Sequence, residues 1–544
     1  MNKKIMGVAL NLHDHNTYDG VWHNQRERQT RFKHNLPYHV EAYAHQSDIL
    51  NPNDYRLNDE FTKEYFKKSD DSVLAFTYTY GGVRKSKEEL LNTVLKGHDE
   101  IFDWQPKKLW DHYYKDGIYF IDHHQSHAAY AFINSGFDQA DKLAIDGIGN
   151  RYRCCFFDKH DVMTDLSDVL PIGWLWNHMS NLTGFGTLGA GKLMGLSAYG
   201  RKNDYFYEIF ETILAGPITE KKQEKFEEYI DLKRYKKEDL AFTLQRFTMD
   251  KIREFVYPLQ TCNNLCVAGG VSYNGYMNEA FTINRWKNVY VPPAVGDEGQ
   301  ALGAYQHADY VLNNNKHIVD TYSGKEYQWV PNKNIIMNAK NLKNKTWASG
   351  KGFQWGYEAL FWEPLNVPYI AQQIADGKTV GWFQGKSESG NRALGNRSIL
   401  ADPRNPDIKE IINSTIKMRE DFRPFAPAVM EEHYQEYFDT NQPSPYMSRI
   451  MPVKSTKIPG VTHIDGTARI QTVNREQNAK FWNIINEFYK ITDIPMLLNT
   501  SFNSQEPIVE EPWHAIRTFK ETSIDILVIN DWMLIKKVTH DGWS

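Results

Sequence analysis

Apolar residues fall in short runs closed by polar or glycine turns. Ile5 to Leu12 reads as a strand closed by His13-Asp14-His15-Asn16, and the Asp19-Gly20 turn beyond it predicts an opening hairpin. From Ser86 to Phe102 the period is helical, with Leu90, Leu91, Val94 and Leu95 on one face. Ile118 to Ile121 is a short buried strand that runs directly into Asp122-His123-His124-Gln125-Ser126-His127, and Ala128 to Phe132 suits a helix. Two more strands, Lys142–Ile145 and Leu265–Ala268, end at Asp146-Gly147-Ile148-Gly149-Asn150 and at Gly269-Gly270. Polar or glycine turns at the carboxyl ends of buried strands are where α/β folds bind ligands. Asn and Lys crowd residues 313–351, which predicts a linker near the end of that stretch. Val380 to Phe383 restarts an apolar strand, and Ile526 to Ile529 is another. The expectation is two α/β domains, 1–350 and 351–544.

Composition narrows the class. At 544 residues, 41% hydrophobic and 24% charged, the chain is an ordinary globular protein, not a disordered, collagenous or coiled-coil one. Its formal charge of -5 gives no overall field for nucleic acid, although a local basic groove is compatible with it. Four cysteines (Cys154, Cys155, Cys262 and Cys266) are too few for a disulfide scaffold and lack zinc-ligand spacing, so reduced thiols and a cytoplasmic location are expected. Basic residues at the N-terminus lack the apolar stretch of a secretory signal behind them, and no run is long enough for a membrane span.

Three groups of residues carry chemistry. His123 and His127 share a helix face at i, i+4, where two neutral imidazoles can hold a divalent metal or can simply cap and pack. Asp146 and Asp297, each beside turn glycines, make a His/Asp metal site possible if the segments converge. Gly147-Ile148-Gly149, Gly269-Gly270 and Gly296-x-x-Gly299 are each either a tight turn or a phosphate cradle; together they suit an actin- or sugar-kinase-type nucleotide cleft better than a dinucleotide fold. The second half is cationic, with Arg392 and Arg397 in Gly390–Ser398 and Lys417, Arg419 and Arg423 in Lys417–Pro424. Arginine forks bind phosphate or carboxylate oxygens bidentately, and the Gly, Pro and Phe between these charges distinguish the stretch from a solvated basic face.

The order of these segments matches a family. It runs HHQSHAA (His123–Ala129), DGIG (Asp146–Gly149), MGLSAYG (Met194–Gly200), GGVSYN (Gly269–Asn274) and PPAVGDEGQALGA (Pro292–Ala304). It continues with GNRALGNRSILADPR (Gly390–Arg404), FRPFAPAV (Phe422–Val429) and LNTSFN (Leu498–Asn503). The chain resembles, nearly end to end, the ATP-dependent O-carbamoyltransferases that decorate nodulation factors and antibiotics. The resemblance implies an N-terminal actin-like domain, akin to sugar kinases and threonylcarbamoyl-transferases, and a C-terminal YrdC-like α/β domain that makes carbamoyl adenylate. It implies carbamoyl phosphate and ATP with Mg2+ as substrates, and His123, His127 and Asp297, with Asp146 close by, as ligands of a divalent metal, commonly Fe2+ in relatives. Arg392, Arg397, Lys417, Arg423, Arg469 and Ser501 then face carbamoyl phosphate and the ATP phosphates, with Lys417 and Arg423 catalytic. Asp146, Gly269, Gly270 and Asn274 form the adenylate-binding turn of the first domain.

Of the remaining residues, His13 is either a base for the acceptor hydroxyl or a hydrogen-bonded turn histidine. Asn391 replaces the Pro usual in relatives, and Asn150 an acid. The acceptor implied is a hydroxyl of a sugar or natural product, with a hydroxymethylated nucleobase as the alternative; the sequence carries no signal for oligomeric state.

Overall fold

The structure, a computed structural model, describes residues 3–10, 16–21, 23–25, 72–78, 98–186, 188–215, 230, 232, 234–331 and 362–536. The first sheet grows from β1 (Lys4–Leu10). β2 (Asn16–Tyr18) and β3 (His23–Gln25) fold back antiparallel on one side, as the opening hairpin requires. β4 (Ser72–Tyr78) lies parallel on the other side, paired from Lys4↔Ser72 to Leu10↔Tyr78. β5 (Tyr113–Lys115) and β6 (Ile118–Phe120) complete the order β3-β2-β1-β4-β6-β5. Their two-residue turn is Asp116-Gly117, with φ of 50° and 80°, the positive values that match a hairpin's twist.

After β6 the chain enters helix α1 (His123–Ser135), which is longer than the pattern at Ala128–Phe132 suggested. The second sheet follows: β7 (Asp141–Ile145), β8 (Cys154–Phe157), β9 (Met163–Asp165), helix α2 (Ala190–Leu196), β10 (Asn264–Ala268), helix α3 (Gly275–Asn284) and β11 (Asn288–Tyr290). Its order is β11-β10-β7-β8-β9. Both sheets have one plan: a central strand, two antiparallel strands on one side and two parallel strands on the other, with antiparallel β5 added at the edge of the first. This duplication is the architecture expected of an actin-like domain. It is invisible in the sequence because strand order repeats while residues do not. Cys154 and Cys155, adjacent on β8, face different clusters, and all four cysteines are free.

Helix α4 (Gln300–Asn313) packs on β1 and β4, whereas α1 packs on β7 and β10, and the two helices pack on each other. Their approach is close at Gly303, where an added Cβ would lie 2.1 Å from the Ser126 carbonyl oxygen. Gly303→Ala therefore forces the helices apart, at an expected cost of about 1–3 kcal/mol. Thermal unfolding checks this, as a lowered midpoint relative to the parent.

The residues past 362 form a separate eight-stranded mixed sheet. In chain order its strands are β12 (Trp362–Pro364), β13 (Val380–Phe383), β14 (Arg397–Ala401), β15 (Ala426–Met430), β18 (Gln471–Val473), β19 (Met496–Ser501), β20 (Ile526–Ile529) and β21 (Trp532–Ile535). A small ribbon, β16 (Ile450–Pro452) with β17 (Thr467–Arg469), stands beside it and contacts α3. The chain is therefore α/β throughout. Phe502 is buried against Gly381 of β13, which explains the single aromatic among the small polar residues of its segment. Polar contacts join the two halves: Asn278 donates to the Ser448 carbonyl at 2.7 Å, and Lys192 pairs with Glu420 at 2.9 Å. Residues 332–361, which hold the expected boundary, and residues 86–97 of the expected Ser86–Phe102 helix lie outside the described residues; Asp99–Phe102 is a single 3₁₀ turn. Among the described residues no helix is long and apolar enough to cross a membrane.

Candidate active site

The histidine pair stands at the very start of α1, and its placement follows from the cap. The Asp122 carboxylate accepts the His124 N–H at 2.8 Å, and the Gln125 side chain accepts the Asp122 N–H at 2.9 Å. Gln125 also donates to the carbonyls of Lys108, Leu109 and Asp111, so the first turn is fixed from two sides. Asn150 accepts the His123 N–H at 3.2 Å, which ties the loop after β7 to the first turn of α1.

His123 and His127 lie one turn apart with their Nε2 atoms 3.2 Å from each other. Asp146 follows β7, and Asp297 opens the turn that leads into α4. Asp146 Oδ2 lies 3.0 Å from His127 Nε2 and 3.6 Å from His123 Nε2; Asp297 Oδ1 lies 3.9 Å and 3.4 Å from the same atoms. One donor atom from each of the four residues falls within 4.8 Å of the others. Donors about 2.1 Å from a common centre lie about 3.4 Å apart in a tetrahedron, so this N/O set fits a divalent transition metal. Burial pushes the Asp146 carboxyl up, but hydrogen bonds and charge from His123 and His127 outweigh it and hold it well below the usual range. His124 is outside the cluster: burial and the two neighbouring imidazoles bring it down to about 3, so it is neutral at physiological pH.

Asp146 also reaches the glycine turn, accepting the Gly270 N–H on the same Oδ2 at 2.9 Å. Gly269 has φ of 97°, and a Cβ there would lie 2.2 Å from the Ile145 oxygen, so the turn can lie against β7 only as glycine. Asn274 belongs to the end of this turn, but its amide caps α3, accepting the Met277 N–H at 3.1 Å and donating to Gln245 at 2.9 Å.

A cavity of about 330 Å³ lies where the two halves meet. Gly191 and Met194 of α2, Tyr276 of α3 and Glu298, the neighbour of Asp297, line it from one half. Arg392, Arg419, Arg423, Arg469 and Ser501 line it from the other. Arg392 lies 5.2 Å from the centre of the Tyr273 ring, and Arg469 donates to the Tyr273 carbonyl at 3.3 Å. Arg419 follows a π-helical turn, Asn413–Lys417, and donates to Asn413 at 2.6 Å. Removal from water lowers the pKa of all four guanidinium groups, and their mutual charge lowers Arg392, Arg419 and Arg469 further; Arg419 comes down to about 9. Arginine stays protonated in proteins, so these shifts register first the desolvation of the four charges and, for three of them, repulsion that a bound polyanion relieves.

Arg392, Arg423, Arg469 and Ser501 thus share one cavity, as the sequence suggested. Two expected members do not join them. Arg397 is fully buried; its guanidinium donates to the carbonyls of Gln384, Gly385 and Asn396 and lies 3.6 Å from the Phe383 ring centre. Its charge belongs to the turn between β13 and β14 in the middle of the sheet, not to the cavity wall. Lys417 sits one layer behind the wall, donating to the Ser501 and Asn503 carbonyls and to Asn503 Oδ1, so it braces the turn that presents Ser501. His13 lies outside the described residues. Arg419 of the cationic stretch joins the cavity, which also takes in Gln25, Glu298, His463 and Asn499. Glu298 and Asn499 stand inside the family blocks and were within reach. His463, whose Nδ1 is 3.5 Å from Asp465 Oδ1, carried no signal of its own.

Comparisons with known proteins place both halves of the chain in one family. A family model described as the carbamoyltransferase N-terminus matches residues 23–305, and one described as the carbamoyltransferase C-terminus matches residues 371–536. Nodulation protein NolO of Bradyrhizobium diazoefficiens is 32% identical over 78% of this chain and 80% of its own length. Nodulation protein NolNO of Sinorhizobium fredii is 34% identical over 78% of this chain and 65% of its own length. An uncharacterised protein of Synechocystis sp. is 31% identical over 98% of this chain and 96% of its own. With both halves matched by the family's models and relatives above 30% identical over most of the chain, the chain belongs to the carbamoyltransferase family.

Proposed function

We propose that this carbamoyltransferase uses carbamoyl phosphate and ATP to form carbamoyl adenylate, and passes the carbamoyl group to a hydroxyl of a sugar or natural product. The observation that supports this most is the arginine cavity, which suits two polyanionic substrates and is bounded by both halves of the chain. In this reading residues 1–350 form the transfer unit and residues 351–544 the adenylate-forming unit. Water cleaves carbamoyl phosphate to carbamate and phosphate. Arg392, Arg419, Arg423 and Arg469 hold the anionic oxygens, with Mg2+ accompanying ATP, and Lys417 keeps Ser501 in place beside them. Carbamate then attacks the α-phosphorus, and the bond to pyrophosphate breaks. The labile adenylate moves toward the Gly269-Gly270 turn without crossing bulk water, which limits hydrolysis. His123, His127, Asp146 and Asp297 would hold a divalent metal, iron being the family's common choice, which supplies Lewis acidity toward oxygen. His13 takes the proton of the acceptor hydroxyl as its oxygen bonds to the carbamoyl carbon and AMP leaves.

The first test needs no acceptor. Pyrophosphate release from ATP should depend on carbamoyl phosphate; release that proceeds equally without it overturns the reading. A panel of hydroxylated acceptors then follows, read by mass spectrometry for a gain of about 43 Da, the exchange of H for CONH2.

A further inference from the structure

The wall of the arginine cavity also contains groups of the opposite character, and among them Asn499 is buried with an acceptor left over. The guanidinium groups are all donors, which suits phosphate and carboxylate oxygens. Asn499 also lines the cavity, is 1% exposed, and has an Oδ1 with no hydrogen-bond partner. An amide can turn over, so the first question is which end it presents.

A relay fixes the answer. The Leu394 carbonyl can only accept, and it takes a hydrogen from Gln471 Nε2 at 2.9 Å. Gln471 must then offer Oε1 to Asn499, which donates its Nδ2 at 2.8 Å. The same Nδ2 donates its second hydrogen to the Ala393 carbonyl at 3.1 Å. Reversing Asn499 would set its oxygen against the Ala393 carbonyl and its nitrogen hydrogens against nothing. Two independent acceptors therefore hold the nitrogen inward and leave the oxygen as the outlier. The position is rigid: Asn499 pairs with Leu400 of β14 on one side and Ala426 of β15 on the other. A buried acceptor without a donor is costly, and native proteins retain one mainly where a ligand completes it.

Phosphate and carboxylate oxygens have no hydrogen to give it. The carbamoyl group does, on its amide nitrogen. We infer that Asn499 reads the NH2 of carbamoyl phosphate, with Gln471 as the positioning residue that sets its polarity, so that the cavity distinguishes a carbamoyl from an acyl phosphate. This rests on the proposed use of carbamoyl phosphate. The arginines bind what all such phosphates share, and Asn499 binds what sets this one apart.

The test pairs carbamoyl phosphate with acetyl phosphate, in which a methyl group replaces the amino group at nearly equal size. Each is assayed with ATP for pyrophosphate release, and acetyl phosphate is also assayed as a competitor. The parent enzyme should prefer carbamoyl phosphate by at least about 100-fold, because a site built to hydrogen-bond an NH rejects the analogue that lacks it. Asn499→Leu should lose most of that preference by weakening carbamoyl phosphate while leaving competition by acetyl phosphate near its parental value. Gln471→Leu, which frees the amide to turn, should lower the preference partway. A parent that uses or binds both phosphates equally overturns the inference and leaves the proposed reaction standing. A parent that releases no pyrophosphate with carbamoyl phosphate overturns the reaction itself. If Asn499→Leu weakens both phosphates alike, its role is structural; if it raises KM for ATP alone, the acceptor reads the adenine amino group. Either outcome overturns the inference.

Discussion

Arg423→Ala will stop pyrophosphate release from ATP in the presence of carbamoyl phosphate, and with it all carbamoyl transfer. Arg423 is one of four guanidinium groups lining the cavity and is tied to the wall by Glu420 at 3.7 Å. Burial lowers its pKa and Glu420 raises it again, so the charge is present and held in place. Removing one preorganised donor from a site where charge develops costs about 100- to 1000-fold in turnover. Glu420 also pairs with Lys192 of α2, so the contact between the halves survives the substitution and the variant should fold. Unchanged pyrophosphate release would show that the cavity is not where adenylate forms.

His127→Ala is expected to split the reaction the other way. Its Nε2 lies within 4 Å of His123, Asp146 and Asp297, so its loss removes one of the four clustered donors. Losing an outer partner of a metal ligand already costs about 10- to 100-fold in affinity, and losing a donor should cost more. Metal content by elemental analysis should fall to background. Acceptor-free pyrophosphate release should persist, because His127 does not line the arginine cavity, while transfer to the hydroxyl acceptor fails. Full metal retention would show that the donor set is wrong. If His127→Ala lost pyrophosphate release and Arg423→Ala kept it, the two half-reactions would be assigned to the wrong sites.

What the sequence made legible was local. His123 and His127 could be read as a pair because four residues bring an α-helix round to the same face, and Gly269-Gly270 because a turn after a strand needs residues without side chains. The nearness of Asp146 and Asp297 to that pair was expected from family order alone; no spacing rule carries a residue from Asp146 to Asp297. Arg397 shows the limit from the other side. Its charge and its place in the RALGNRS block matched its neighbour Arg392, yet one guanidinium meets the cavity and the other three backbone carbonyls. Arg397 opens β14 whereas Arg392 lies in the turn before it, and residue type does not report that difference. Asn499 was harder still, since the meaning of its amide depends on Gln471, Leu394 and Ala393, which are distant in sequence. The duplicated sheet was hidden for a third reason: topology is a relation among strands, and unrelated residues can satisfy it.

One carboxylate oxygen serves two masters in the first half of the chain. Asp146 Oδ2 takes the hydrogen of the Gly270 amide and also faces the imidazole of His127. On the proposed reading, an ion among the histidines would compete for electron density that the glycine turn also uses, which would couple the turn and the ion thermodynamically. Coupling of binding free energies is reciprocal: a nucleotide that drew the Gly270 amide toward itself would release that oxygen for the ion, and the ion would strengthen nucleotide binding by the same factor. The order of arrival would then leave the final affinity unchanged, with Asp146 setting the size of the coupling.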